Sequence, residues 1–220
     1  MAIAGGNITL DSTEGMDKIS QTDKVTSPYF SDGTTELLAA NIVSSSLTDT
    51  NETYFFWVSN NATATTEEWN VAFGSTNGYG SDDDDNAIKA PTTAIYNQYA
   101  SLLLAPTEVT GGFFISSPGS NSAVASGRDT EIYVMSARRS NMKDRINKGT
   151  WTVTFSGSLS DGTDGGKLLL TDDSVNDSPT ATPVGDRYNI VSGSGGTVVS
   201  ESTARNFGFF YPNLGLLVFS

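Results

Sequence analysis

The 220-residue sequence contains no cysteine and no histidine. Without cysteine there can be no disulfide and no thiolate site. Without histidine the chain lacks the commonest general base and the commonest zinc ligand, so Ser-His-Asp and Cys-His catalysis are excluded. A glycosidase needs only two suitably spaced carboxylates, but no pair among the 25 Asp and Glu residues stands out in an apolar, aromatic-lined setting. We therefore expect neither enzymatic activity nor a cofactor.

Positive charge is also scarce, with 12 Lys and Arg residues and a formal net charge of -13. This balance argues against nucleic acid or an anionic membrane as the main partner. No apolar run approaches the roughly 18 residues of a membrane span. The first residues show neither the basic segment nor the apolar core of a secretory signal. We expect a soluble protein made in a cytoplasm.

Turn-forming and aromatic residues are abundant, with 22 Gly and 10% aromatics. This composition favours short strands joined by tight turns over long helices. The sequence predicts a mainly β fold, a sandwich or barrel-like arrangement of roughly eight to twelve short antiparallel strands with one short helix. Residues 1–36 are interpreted as an extended N-terminal arm, and residues 37–220 as a single β-rich domain.

Several segments of the sequence predict individual strands or a helix. The clearest strand is Thr150–Phe155, where Trp151, Val153 and Phe155 alternate with threonines. The best helix runs from Pro91 to Leu104, before Pro106. Its predicted apolar face consists of Ile95, Tyr99, Leu102 and Leu103. The C-terminal residues 206–220 predict two strands around a Pro-Asn turn.

Half of the positive charge, six of 12 Lys and Arg residues, lies between Arg128 and Lys148. Arginine suits bidentate contacts with carboxylates, so this basic segment predicts docking onto an acidic patch of a neighbouring copy. The alternative is an isolated, solvated helix face. The strand Leu214–Phe219 either completes its own sheet or adds to that of a partner. The hypothetical interface residues are Arg138, Arg139, Lys143, Arg145, Leu214, Leu216 and Val218.

Two features of the sequence, an aspartate run and the tryptophans, are compatible with ligand binding, but each has a simpler structural explanation. The acidic run Asp82, Asp83, Asp84 and Asp85 offers clustered oxygens that suit calcium. It lacks the spacing of an EF-hand loop, and adjacent aspartates are more often a solvated loop tip, so we predict no metal site. The three tryptophans, Trp57, Trp69 and Trp151, have the chemistry to stack on sugars, but each lies inside a strand pattern that favours core packing.

A series of short motifs occurs in a fixed order along the chain. They are Gly78–Gly80, Ile95–Tyr99, Leu102–Leu104, Ile132–Val134, Arg138–Arg145, Gly149–Trp151, Ser156–Ser158, Leu168–Ser174, Arg187–Ser194 and Phe207–Pro212. In this order they resemble a family of virion structural proteins of tailed bacteriophages, especially marine and cyanobacterial phages with contractile tails. The resemblance covers about residues 54–220.

The resemblance implies a bacteriophage particle component, in the tail, baseplate or collar rather than the head. Its partners would be other copies of itself and other virion proteins, in a homo-oligomer set by particle symmetry, without nucleic acid or membrane. It would be located in the virion after synthesis in the host cytoplasm. Two alternatives remain open: a capsid decoration protein, and a carbohydrate-binding or carbohydrate-degrading module of the same particle.

Overall fold

The computed structural model describes residues 25–26, 42–44, 54–59, 67–81, 90–109, 111–115, 128–142, 144–158, 164–199 and 206–220. The strands are β1 (Val25–Thr26), β2 (Ile42–Ser44), β3 (Phe55–Ser59), β4 (Glu67–Ser75), β5 (Glu131–Ala137), β6 (Arg145–Ile146), β7 (Val153–Ser158), β8 (Asp164–Asp172), β9 (Thr180–Thr182), β10 (Gly185–Ser194), β11 (Thr197–Val198), β12 (Gly208–Tyr211) and β13 (Leu216–Phe219). The helices are α1 (Pro91–Leu103) and α2 (Pro106–Val109), with a 3-10 turn at Arg139–Asn141. None of the described helices is long and apolar enough to cross a membrane.

Most strands form one antiparallel sheet in the order β2-β3-β4-β5-β13-β12-β10-β8-β7, to which β9 and β11 add by pairing with β10. The C-terminal strands β12 and β13 lie near its centre. Every residue of both strands is buried. Their nearly continuous apolar sequences suit strands covered on both faces. The turn between them passes through Gly215, whose φ is 67°. The predicted mainly β fold and the hairpin at the C-terminus are confirmed.

The sheet is strongly curled. Four strand spacings separate β7 from β13 in the sheet order, which would place them about 19 Å apart if the sheet were flat. The rings of Phe155 on β7 and Phe219 on β13 nevertheless meet edge to face, with centroids 5.6 Å apart. The sheet must therefore bend into a half-barrel, with both side chains on its concave side.

The curl separates two hydrophobic clusters. The inner cluster, on the concave side, consists of Met142, Ile146, Trp151, Leu170, Tyr188, Ile190, Phe210, Leu217 and Phe219. The outer cluster lies between the convex side and α1 and contains Tyr96, Ala100, Leu103, Leu104, Phe113, Ile115, Ile132, Val134, Phe209, Tyr211, Leu216 and Val218. Alternate residues of one strand point into opposite clusters, as Phe209 and Phe210 do. This alternation follows from the period of two of a β-strand.

Helix α1 exists where the sequence predicts it, and its buried face agrees with the predicted one at Leu103 and in part at Tyr99, but not at Leu102. The buried residues are Thr92, Tyr96, Ala100 and Leu103, whereas Leu102 is 46% exposed. The Tyr96 hydroxyl donates to the Asp129 carbonyl at 2.6 Å and accepts from the Phe113 amide at 3.1 Å. These bonds hold Tyr96 against the sheet, and Tyr96 lies about 100° around the helix from Ile95. The described residues also include the second helix α2, because Pro106 begins a helical turn rather than only ending the first helix.

The start of one predicted strand needs correction. Strand β7 begins at Val153 rather than Thr150. The Trp151 carbonyl accepts from the Thr171 hydroxyl at 2.9 Å, and the Thr152 hydroxyl bonds to the Ser194 hydroxyl at 2.9 Å, so these two residues are held by side-chain hydrogen bonds before the strand begins. Phe155, on this strand, is 44% exposed. Of the predicted N-terminal arm, only Val25–Thr26 lies within the described residues, where it pairs in parallel with Arg145–Ile146 of the same chain.

The curl predicts energetic coupling between Phe155 and Phe219. The variants Phe155→Leu and Phe219→Leu, alone and combined, should give a coupling of about 0.5–1.5 kcal/mol in the free energy of unfolding, because each removes the same aromatic contact. Denaturant unfolding measures all three. In a matched double-mutant cycle of Phe155→Leu with Phe113→Leu, the two changes in the free energy of unfolding should add. Phe113 belongs to the outer cluster, on the other side of the sheet from Phe155. Additivity in the Phe155–Phe219 cycle would contradict the curl.

Candidate functional site

The basic segment is a packed loop, not an isolated helix, over its described residues. Only Arg139–Asn141 forms a 3-10 turn, and Met142 and Ile146 anchor the segment in the inner cluster. Arg138 and Arg139 are exposed, and Arg145 is half-buried in β6. Lys143 lies outside the described residues. The structure therefore keeps Arg138 and Arg139 at the surface, as docking would require.

Lys148 and Arg128, both counted in the basic segment, make contacts within the chain. The Lys148 ammonium donates to the Tyr188 hydroxyl at 2.7 Å and lies 5.0 Å from the centre of its ring. Arg128 donates to the Gly112 carbonyl at 3.3 Å. The accumulation of charge in the sequence therefore overstates the positive charge that is presented as one surface.

The apolar interface residues of the prediction lie inside the protein. Leu216 is 6% and Val218 0% exposed, and Leu214 packs against the outer cluster. Strand β13 pairs with β12 on one side and β5 on the other. Both its edges are occupied, so it completes its own sheet and has no edge left for a partner. The assignment of Leu216 and Val218 to an interface is wrong, whereas Leu214 is half-buried.

Adjacent aspartates occur at two places in the chain, Asp82–Asp85 and Asp172–Asp173. The run Asp82–Asp85 lies outside the described residues, so the structure does not place it. Asp172 and Asp173 are 0% and 5% exposed. Asp172 accepts the backbone amides of Gly149 at 2.8 Å and Ser174 at 3.2 Å. Among the described residues, no group of three or more acidic side chains is arranged to hold a metal ion.

An apolar surface lies at one end of the half-barrel. Three side chains on the concave side are substantially exposed there: Tyr133 by 47%, Phe155 by 44% and Leu168 by 38%. Phe155 and Leu168 are register partners on β7 and β8, and Phe219 joins Tyr133 to Phe155 through strand pairing and a ring contact. We call Tyr133, Phe155 and Leu168 the apolar mouth. Within the described residues, β7 pairs only with β8, so this surface also borders a sheet edge.

A polar cleft lies on the other side of the sheet, beside α2. It has a volume of about 330 Å³ and is lined by Leu104, Glu108, Phe114, Arg128, Arg187 and Asn189, among others. The Arg187 guanidinium stacks over the Phe209 ring at 4.3 Å, and its Nη1 lies 3.3 Å from Glu108 Oε2. The Arg128 guanidinium lies 5.5 Å from the Phe114 ring centre. We call this feature the Arg128–Arg187 cleft.

Buried polar groups support the floor of the cleft. Asp173 accepts the Asn189 backbone amide at 3.0 Å and its side-chain amide at 2.7 Å, so the orientation of Asn189 is fixed. Burial raises the pKa of the Asp173 carboxyl, while the bonds from Asn189 oppose that rise. Burial also raises the pKa of Tyr211 to about 12, against the nearby charge of Arg187. Tyr211 therefore stays neutral and donates to the Leu103 carbonyl at 3.4 Å.

Neither surface was found from the sequence. Glu108 and Arg187 are 79 positions apart, and no local pattern connects them. The sequence identifies Phe155 and Leu168 only as strand residues, because alternation indicates which residues share a face and not whether that face is covered. Trp151 is 7% exposed and Trp69 packs against the inner cluster, so both behave as core residues, as expected.

The raised pKa of Asp173 predicts a specific pH dependence. The folded state holds the Asp173 proton to higher pH than the unfolded chain, so its contribution to stability falls as pH rises from about 3.9 through the folded pKa. The free energy of unfolding of the wild type, minus that of Asp173→Asn, should therefore decrease across this window. Urea unfolding at several pH values measures the difference. An increase with pH would mean that the hydrogen bonds from Asn189 outweigh burial.

Comparison with known proteins leaves these two surfaces as the basis for inferring function. No family model, no curated protein and no solved structure matches the chain. The apolar mouth and the Arg128–Arg187 cleft therefore have to be interpreted from their own chemistry.

Proposed function

We propose that this protein is a structural subunit of a tailed-bacteriophage particle, in the tail, baseplate or collar, that assembles through repeated contacts between its copies. The observation that carries the proposal is the apolar mouth. Tyr133, Phe155 and Leu168 come from three different strands and are 38–47% exposed at one end of a curled sheet. Contiguous exposed apolar surface is characteristic of protein–protein contact sites.

The chemistry of the mouth favours a protein as its partner. It contains two aromatic rings, and aromatic residues are enriched in the buried centres of interfaces. Burying apolar surface contributes about 25 cal/mol per Å², without requiring a directional partner. The edge of β7 that has no strand partner among the described residues lies beside the mouth and offers backbone hydrogen-bonding groups to the same neighbour.

The uneven distribution of charge over the surface explains how copies with a net charge of -13 associate. Like-charged copies repel one another at long range. The exposed Arg138 and Arg139 give each copy a local positive surface that is complementary to the acidic remainder of its neighbour. Complementary charges of this kind orient partners and raise the association rate more than they raise affinity. In the proposal, the apolar mouth supplies affinity and the arginines supply orientation.

The phage particle enters the proposal through the ordered series of motifs from Gly78 to Pro212. Capsid decoration requires the same kind of contact and differs in location. A carbohydrate-binding module based on tryptophan is not favoured, because Trp151 is 7% exposed. Quantitative mass spectrometry of purified virions tests the particle assignment and gives the copy number. Absence of the protein from intact particles would refute it.

Replacing Leu168 tests the mouth, and its neighbour Leu169 supplies a matched control. The two leucines are 38% and 39% exposed but lie on opposite faces of β8. Leu168→Lys should weaken self-association at least about tenfold, because a charge would have to be desolvated in the contact. Leu169→Lys should leave it nearly unchanged. Sedimentation equilibrium measures both variants, and equal effects would exclude the mouth as the contact surface.

Charge reversal tests the orienting role of the arginines. Arg139→Glu should slow association and reduce its dependence on salt, because rim charges act mainly on the encounter rate. Light scattering after dilution, at low and high ionic strength, measures this rate. Lys167→Glu, an exposed charge on β8, serves as the comparison. An unchanged rate for Arg139→Glu would remove the basic segment from the assembly contact.

A further inference from the structure

We propose that the Arg128–Arg187 cleft is a binding site for a carboxylated sugar, such as a uronic acid unit of a polysaccharide. This inference concerns a different surface from the apolar mouth and does not depend on self-assembly. The cavity of about 330 Å³ lies at the small end of the range of small-molecule sites, roughly 300–1,000 Å³. It therefore suits a single sugar unit with open access for its neighbours.

The charges in the cleft favour one carboxylate. Arg128 and Arg187 contribute two positive charges, and Glu108 contributes one negative charge. Glu108 is engaged with Arg187 at 3.3 Å and with the Ala105 amide at 3.2 Å. Arg128 forms no ion pair shorter than 4.0 Å with a described acidic residue. The cleft therefore retains one positive charge, on Arg128, to pair with a ligand carboxylate.

Arg128 is held in a geometry suited to that role. Its guanidinium lies over Phe114, and its Nη1 donates to the Gly112 carbonyl at 3.3 Å. It also lies against the backbone at Gly111, where an added Cβ would come within 2.5 Å of Nε. A guanidinium has five N–H donors, so the contact with Gly112 leaves donors for a bidentate pair with a carboxylate.

The remaining lining suits the hydroxyl groups and the apolar face of a sugar. Asn189 Nδ2 donates to Asp173, and Asn206 Nδ2 donates to Asn189 Oδ1 at 3.3 Å. Each amide nitrogen has a second N–H that these bonds do not use. The Glu108 side chain is 36% exposed and accepts hydrogen bonds. The ring of Phe114, a residue that is 37% exposed, offers an apolar platform.

The same lining disfavours an acidic peptide. Consecutive carboxylates would meet Glu108 as well as Arg128, in a protein whose net charge is already -13. A ligand that combines one carboxylate with neighbouring hydroxyls avoids this repulsion and uses the amides of Asn189 and Asn206. These are the features of a uronic acid.

Calorimetric titration with a trisaccharide that carries one uronic acid unit between two neutral sugars tests the proposal, with its methyl ester as the uncharged counterpart and a triaspartate peptide as the competing class. The acid should bind, and the ester should bind at least about tenfold more weakly, because a hydrogen bond to a charged group is lost. No binding of the acid at millimolar concentration, equal binding of the ester, or equal binding of triaspartate would overturn the proposal.

Two variants locate the site. Arg128→Gln should weaken binding of the trisaccharide with one uronic acid unit at least about tenfold. Gly111→Ala should also weaken it, because the added methyl displaces the flexible Arg128 side chain without removing its charge. Arg139→Gln, which removes an exposed charge from the basic segment, should leave binding unchanged. Circular dichroism and unfolding midpoints establish that each variant is folded. An unchanged affinity in a folded Arg128→Gln protein would exclude this cleft as the site.

Discussion

The packing of the concave side of the sheet is the constraint on which the rest of the structure depends. Residues from β7, β8, β10, β12 and β13 converge there on Trp151, Phe210 and Phe219. Aromatic rings that meet edge to face across the curl bury large apolar areas and gain a specific geometric preference. A flat sheet would leave these side chains facing water on one side. The curl is therefore the arrangement in which the inner cluster becomes a core.

The two candidate surfaces follow from this curl and from the layer on its other side. At one end of the half-barrel the apolar lining continues past the buried core, which leaves Tyr133, Phe155 and Leu168 exposed. On the convex side, α1 covers the outer cluster, and α2 brings Glu108 opposite Arg187. Phe209, on the outer face of β12, supplies the ring on which Arg187 stacks. One surface is apolar and suits a protein, whereas the other is charged and suits a small polar ligand.

Buried polar residues connect the core to the cleft. Asp173 holds Asn189, and Asp172 holds the amide of Gly149 at the end of the basic segment. Thr171 donates to the Trp151 carbonyl at 2.9 Å and accepts from the Gly196 amide at 2.9 Å. These groups are satisfied within the chain, so their burial costs less than that of unpaired polar groups. Substitutions at Asp172 or Thr171 would therefore affect the fold first.

The sequence by itself determined the mainly β class, the position of α1 and the hairpin at the C-terminus, because these depend on local periodicity and on Pro and Gly signals. It did not determine that Leu216 and Val218 are core residues, or that Leu102 is exposed. It also could not bring Arg187 to Glu108 across 79 positions. Only the tertiary structure decided these points. Periodicity tells which residues share a face, while the curl of the sheet decides which faces are covered and which distant residues meet.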